Sequence, residues 1–176
     1  RLTAFYELLV TGDEEAGKAV QEFLGQPAVP SFLDFDNEQP GLTILRLPVY
    51  TDITDEEFLR AVEFGVEGMW SVNEGAEVYR LDIDFQRLTP SSVYATDQTP
   101  ERGDHIDLDS HSARFPEGGA LMTTGAESTY GFVGEYVALG LGEITVRTLA
   151  HEFGHVLGFV DGYIRGYRDL EDEGFE

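Results

Sequence analysis

The sequence predicts an α+β domain built on a mixed β-sheet, and three observations carry that expectation. Leu45, Leu47 and Val49 alternate with Ile44, Arg46 and Pro48, the period of a strand with one core-facing side. Tyr79, Leu81, Ile83 and Phe85 alternate in the same way with Arg80, Asp82 and Asp84. Between them, Phe58, Val62, Val66 and Met69 recur at helical spacing. Strand, helix and strand make one βαβ unit, whose strands are expected to be parallel. The chain has 176 residues, 41% of them hydrophobic, which suits one domain with a real core.

The remaining elements follow in order. Residues 1–41 read as an N-terminal extension, either packed on the domain that follows or the remnant of a pro-region. Asp13 offers an N-cap for a helix over about 14–24, with Ala16, Val20, Phe23 and Leu24 on one face. Pro27, Pro30 and Pro40 mark an extended connection. The domain proper runs over 42–176. Pro48 suits its first strand to a sheet edge. Thr54-Asp55-Glu56-Glu57 is a capping box, so a helix is expected over about 55–71. Short strands are expected near 104–109, 119–124 and 132–139. After Gly142, Ile144, Leu149, Phe153, Val156 and Leu157 form a second helical stripe, and Gly158 stands where a C-terminal cap belongs.

Charge and composition narrow the function. Asp and Glu number 34 against 11 Lys and Arg, a net charge of −23. Such a surface repels phosphate backbones, which argues against a nucleic-acid partner. No apolar run approaches the roughly 18 residues of a membrane span. The acidity suits salt adaptation, calcium binding or simple drift alike. Without cysteine, thiolate catalysis and thiolate metal ligands are excluded. The chain opens on Arg1, as a processed or trimmed form would.

The second helix carries the chemistry. His151-Glu152-Phe153-Gly154-His155 is an H-E-x-x-H pattern. Residues four apart share a helix face, so His151 and His155 can direct imidazole nitrogens at one zinc ion. Glu152 lies beside the first ligand and can reach a zinc-bound water, whose pKa the metal lowers to about 7, as its general base. The third ligand is expected at Asp161, three residues past Gly158, where a turn off the helix would swing it back toward the metal. A surface aspartate before Gly162 is the plainer reading of that residue.

Thr148 to Phe159 resembles the active-site helix of the metzincin zinc endopeptidases, the matrixins above all. Asp161 in place of the usual third histidine, followed by Tyr163, is similar to the snapalysin branch of small secreted proteases. The likeness implies a zincin-like fold, in which a twisted mixed sheet carries a backing helix and the active-site helix, here with a very short C-terminal subdomain. It implies a secreted, monomeric metalloendopeptidase with one catalytic zinc, acting on peptide or protein substrates. Metzincins carry a methionine turn after the third ligand, whereas both methionines here, Met69 and Met122, lie upstream. Either the C-terminal subdomain is reduced, or the chain is truncated, or the third ligand comes from Asp169, Glu171, Asp172 or Glu173. A zinc-containing but weakly active or inactive binding domain is the alternative function.

Two further groups complete the reading. His105, Asp107, Asp109 and His111 recur at every second residue and would share a strand face, able to hold Ca2+ or a second Zn2+, or forming a solvated acidic face. Gly119, Ala120 and Leu121 fall where a metzincin edge strand would lie, and there could hydrogen-bond an extended substrate by β-augmentation. Tyr163 or Tyr167 could donate to an oxyanion or simply pack.

Overall fold

The computed structural model describes residues 29–94, 103–104 and 106–160, and within them the alternating segments become a curled mixed sheet of seven strands. The strands are β1 (Asp34–Asp36), β2 (Leu42–Thr51), β3 (Val72–Glu74), β4 (Glu77–Arg87), β5 (Ala120–Thr124), β6 (Tyr130–Phe132) and β7 (Tyr136–Leu139). Four helices accompany them: α1 (Glu56–Met69), α2 (Pro90–Val93), α3 (Leu108–Ser112) and α4 (Val146–Val156). The sheet order is β3-β4-β2-β5-β7-β6, with β1 also paired to β2. Among the described residues no helix is long and apolar enough to cross a membrane.

The β2–α1–β4 unit forms as the periodicity predicts, with β2 and β4 parallel and Leu45 opposite Leu81. Helix α1 starts one residue later than the capping box suggests. Asp55, not Thr54, is the N-cap, and its carboxylate accepts the N–H groups of Glu57 and Phe58. Asp55→Ala should cost about 1 kcal/mol of stability, read as a lower urea midpoint at unchanged slope.

Strand β2 lies inside the sheet rather than at its edge. β4 covers one side, while β1 and β5 share the other. Pro48 is tolerated because it falls in the gap on that shared side, between Arg46, where the β1 ladder ends, and Val49, where the β5 ladder begins. β1 itself comes from the stretch expected to be plain connection. It pairs antiparallel with β2, and Arg46 reaches Asp36 across the pair at 2.7 Å. The helix expected over 14–24 lies outside the described residues.

The sheet separates two cores. On one face Leu45, Leu47, Val49, Met122 and Val137 pack beneath Val62 and Val66 of α1 and Phe153 and Val156 of α4. On the other, Leu121, Tyr136 and Ala138 pack against Val93, Leu108 and Phe115. Trp70 joins the two large helices, since its indole N–H donates to Ala150 O at 2.8 Å and its ring lies against Gly154.

Two expected strands change form. The described residues of 104–109 form no strand: Asp107 caps helix α3, its carboxylate accepting the Ser110 N–H and hydroxyl. The segment 132–139 is a hairpin, because Gly134 at φ +73° reverses the chain between β6 and β7.

Candidate metal centre

Thr145 caps α4 by accepting the Thr148 N–H, and the helix presents His151, Glu152 and His155 on one side. One ligand atom from each of the three lies within 4.8 Å of the others, the one such group of His, Asp and Glu among the described residues. The two imidazoles meet edge to face with centroids 4.9 Å apart. Two imidazoles and a carboxylate form a donor set that first-row divalent ions, zinc among them, accept.

The helix ends in a way that orients one imidazole. Gly158, at φ +98°, donates to His155 O, and Phe159 N–H donates to Gly154 O, the paired bonds of a Schellman turn. The turn brings Phe159 O to 2.8 Å from His155 Nδ1. A carbonyl only accepts, so Nδ1 carries the proton and Nε2 keeps the lone pair that a metal needs. The Phe159 ring meanwhile packs on Trp70 with centroids 5.3 Å apart.

Glu152 is held from the sheet. It is 8% exposed, and its Oε2 accepts the Gly131 N–H at 2.6 Å. This contact needs a glycine: a Cβ at residue 131 would stand 2.5 Å from Glu152 O and 3.1 Å from His155 Cβ. Nothing in the local sequence marks Gly131, because the pairing of β6 with β7 is what delivers it to α4. Asp161 and the reserve carboxylates Asp169, Glu171, Asp172 and Glu173 lie outside the described residues, as do Tyr163 and Tyr167.

The structure separates the residues of the expected second metal site. His105 lies outside the described residues. Asp107 and Asp109 are exposed at the start of α3, whereas His111, one helical turn on, points inward and is buried. The alternation that would align them on a strand is lost once the backbone turns helical. His111 instead joins a buried polar cluster. Its Nε2 is 3.6 Å from Asp52 Oδ2 and 3.2 Å from both Tyr94 Oη and Thr123 Oγ1. Tyr94 and Thr123 each donate their hydroxyl proton to Asp52 Oδ2. With both hydroxyl protons so used, His111 Nε2 is a donor. Burial alone would raise the Asp52 pKa, but the bonds from His111, Tyr94 and Thr123 outweigh it and hold the carboxyl below its usual range. Burial and the bond to Asp52 push the Tyr94 phenol far above its usual range.

The expected substrate strand is also displaced. Gly119 abuts Pro48 O, which a Cβ would approach to 2.9 Å. Ala120 and Leu121 lie in β5, paired on one side to β2 and on the other to β7, and are 1% and 5% exposed. A strand bonded on both sides offers no ladder to a peptide. Among the described residues β6 is the last strand on that side of the sheet, and its outward N–H, that of Gly131, is taken by Glu152.

Fold and site together define an α+β domain with a His–Glu–His group able to hold a metal ion. Comparison of the chain with protein-family models, with curated proteins and with solved structures returned no match.

Proposed function

We propose that the protein is a zinc-dependent endopeptidase of the metzincin type, with His151 and His155 as zinc ligands, Asp161 as the third, and Glu152 as general base. The observation that carries this reading is the convergence of His151, Glu152 and His155 on a helix closed by the Gly158 turn. A curled sheet with α1 and α4 on one face and an antiparallel last strand, β6, supports the zincin-like reading of the fold. Zinc would supply Lewis-acid polarisation of a peptide carbonyl and an acidified water.

The protein residues have separate tasks. Phe159 O fixes the protonated nitrogen of His155 and therefore its ligating one. Gly131 N–H steadies Oε2 of Glu152, leaving the other carboxylate oxygen to take the proton of the attacking water and pass it to the leaving amine. Like the small secreted proteases it resembles, the protein would act outside the cell, as a monomer.

Glu152→Ala should lower peptide hydrolysis by about 10²–10⁴-fold while the chain retains about one zinc by metal analysis. Undiminished proteolysis in that variant would sink the proposal.

One observation favours the alternative of a zinc-containing binding domain with little or no turnover. Glu152 is buried and already engaged at 2.6 Å by Gly131. Digestion of a broad peptide library separates the two readings: chelator-sensitive, saturable cleavage marks the enzyme, and bound zinc without turnover marks the binding domain.

A further inference from the structure

Trp70, the only tryptophan of the chain, meets α4 and its closing turn at three points. Its backbone stands on a fixed corner. Trp70 is the C-cap of α1, with its N–H donated to Val66 O at 3.0 Å, and the Ser71 hydroxyl donates to Glu67 O at 2.7 Å. Strand β3 begins directly afterwards at Val72, paired to β4. From this corner the indole N–H reaches the carbonyl of Ala150, the residue before His151. The ring edge lies over Gly154, the residue before His155, where a Cβ would stand 2.9 Å from Cζ2. The ring also meets that of Phe159, whose carbonyl accepts the Nδ1–H of His155.

Positions 150 and 154 are one helical turn apart and share the flank beside the one that carries 151 and 155. A side chain that touches both fixes the roll of α4 about its own axis. The magnitude matters. On a helix about 10–12 Å across, a roll of about 10° carries a side-chain tip by about 1 Å, whereas metal–ligand distances hold to within about 0.2 Å. Two ligands on one helix roll together, so the correction must come from outside it. Gly134 N–H, donated to His155 O at 3.0 Å, and Gly131 N–H, donated to Glu152, hold α4 from the β6–β7 hairpin. Trp70 holds it from α1. A tryptophan that merely filled the core would need neither its N–H bond nor a glycine, a poor helix former, beneath its ring.

We propose that Trp70 is a positioning residue for the metal centre, setting the roll of α4 and the seat of Phe159 so that both imidazoles face the ion together. The assignment rests on the reading of His151 and His155 as metal ligands, and needs no peptide hydrolysis.

The full chain is titrated with Co2+, read by its d–d absorption, and then with competing Zn2+. Trp70→Leu should weaken Co2+ binding by about tenfold and shift the d–d bands of the loaded protein. Trp70→Phe, which returns a ring beside Phe159 without the N–H, should recover part of the loss. Gly154→Ala keeps the tryptophan but displaces its ring, so it should weaken binding too, and it decides the matter if Trp70→Leu does not fold. Ile83→Val, a buried methyl lost from β4, is the control: it should lower the urea midpoint at unchanged Co2+ affinity. Wild-type affinity and spectrum in the Trp70 and Gly154 variants would overturn the proposal. An equal loss of affinity in Ile83→Val would overturn it as well, because the effect would then be one of stability. A wild-type chain that binds neither Co2+ nor Zn2+ would remove the metal reading and the assignment together. Trp70-dependent binding without peptide cleavage would support the assignment while removing the protease.

Discussion

Replacing His111 with alanine is expected to destabilise the fold by about 3–5 kcal/mol, because a buried carboxylate loses a partner and the core loses a large ring. Asp52 is 0% exposed, and its Oδ1 is buried with no hydrogen-bond partner among the described residues, so the carboxylate depends on what reaches Oδ2. His111 Nε2, Tyr94 Oη and Thr123 Oγ1 all gather there. Losing the imidazole also opens a void between Tyr94, which stacks on it, and Phe115, which meets it edge-on. The effect has a defined pH dependence. The folded-state pKa of Asp52 lies below its ordinary 3.8, so the group adds stability at pH above that value and loses it as pH falls through the folded pKa. His111→Ala removes a bond that lowers this pKa, so the variant should begin to lose stability at a higher pH than the wild type. Urea midpoints collected from pH 7 down to pH 3 check both statements. A midpoint equivalent to within about 1 kcal/mol of wild type throughout would remove the cluster from the list of stabilising features.

The second large effect belongs to Gly131→Ala. The added methyl would meet main-chain and β-carbon atoms of α4, which have no rotamer into which to retreat. Strand β6 must therefore move off the helix, at a cost of about 1–3 kcal/mol. The same movement pulls the N–H away from Glu152 Oε2, now at 2.6 Å. If Glu152 is the general base as proposed, a displacement of about 1 Å can lower turnover by about 10²-fold, so activity should fall further than stability alone explains. Gly142→Ala is the matched control, since a Cβ there meets nothing within 4 Å; it should change stability by no more than about 0.5 kcal/mol. Wild-type activity in Gly131→Ala would mean that Glu152 does not need its strand partner.

What the sequence shows and what it hides divide along contact distance in the chain. α4, its His–Glu–His face and its glycine stop are local patterns, and all are legible because i, i+4 spacing and a left-handed glycine act within two turns. The parallel pairing of β2 with β4 follows from the helix between them. The strand at that end of the sheet was not legible. Residues 118–124 and 130–132 are both short and apolar enough to be edge or interior, and only the full pairing order puts β5 inside and β6 outside. The acidic repeat at 105–111 misleads for a different reason. Alternating His and Asp suit a strand face, yet Asp107 is also a strong N-cap, and local capping governs the backbone there. The cluster around Asp52 draws on four separate segments, one of its bonds spanning 71 residues, and no window of sequence holds it.

Phe159 joins two roles that seldom fall on one residue. Its ring anchors against Trp70, while its carbonyl oxygen holds the N–H at Nδ1 of His155. Because the orienting partner is main chain, no change of side chain at 159 deletes the hydrogen bond itself. The position of that oxygen depends on the bend at Gly158, whose φ of +98° is one that L side chains rarely adopt. If His155 ligates zinc as proposed, the affinity for the ion would depend on the shape of a turn as well as on the ligands themselves.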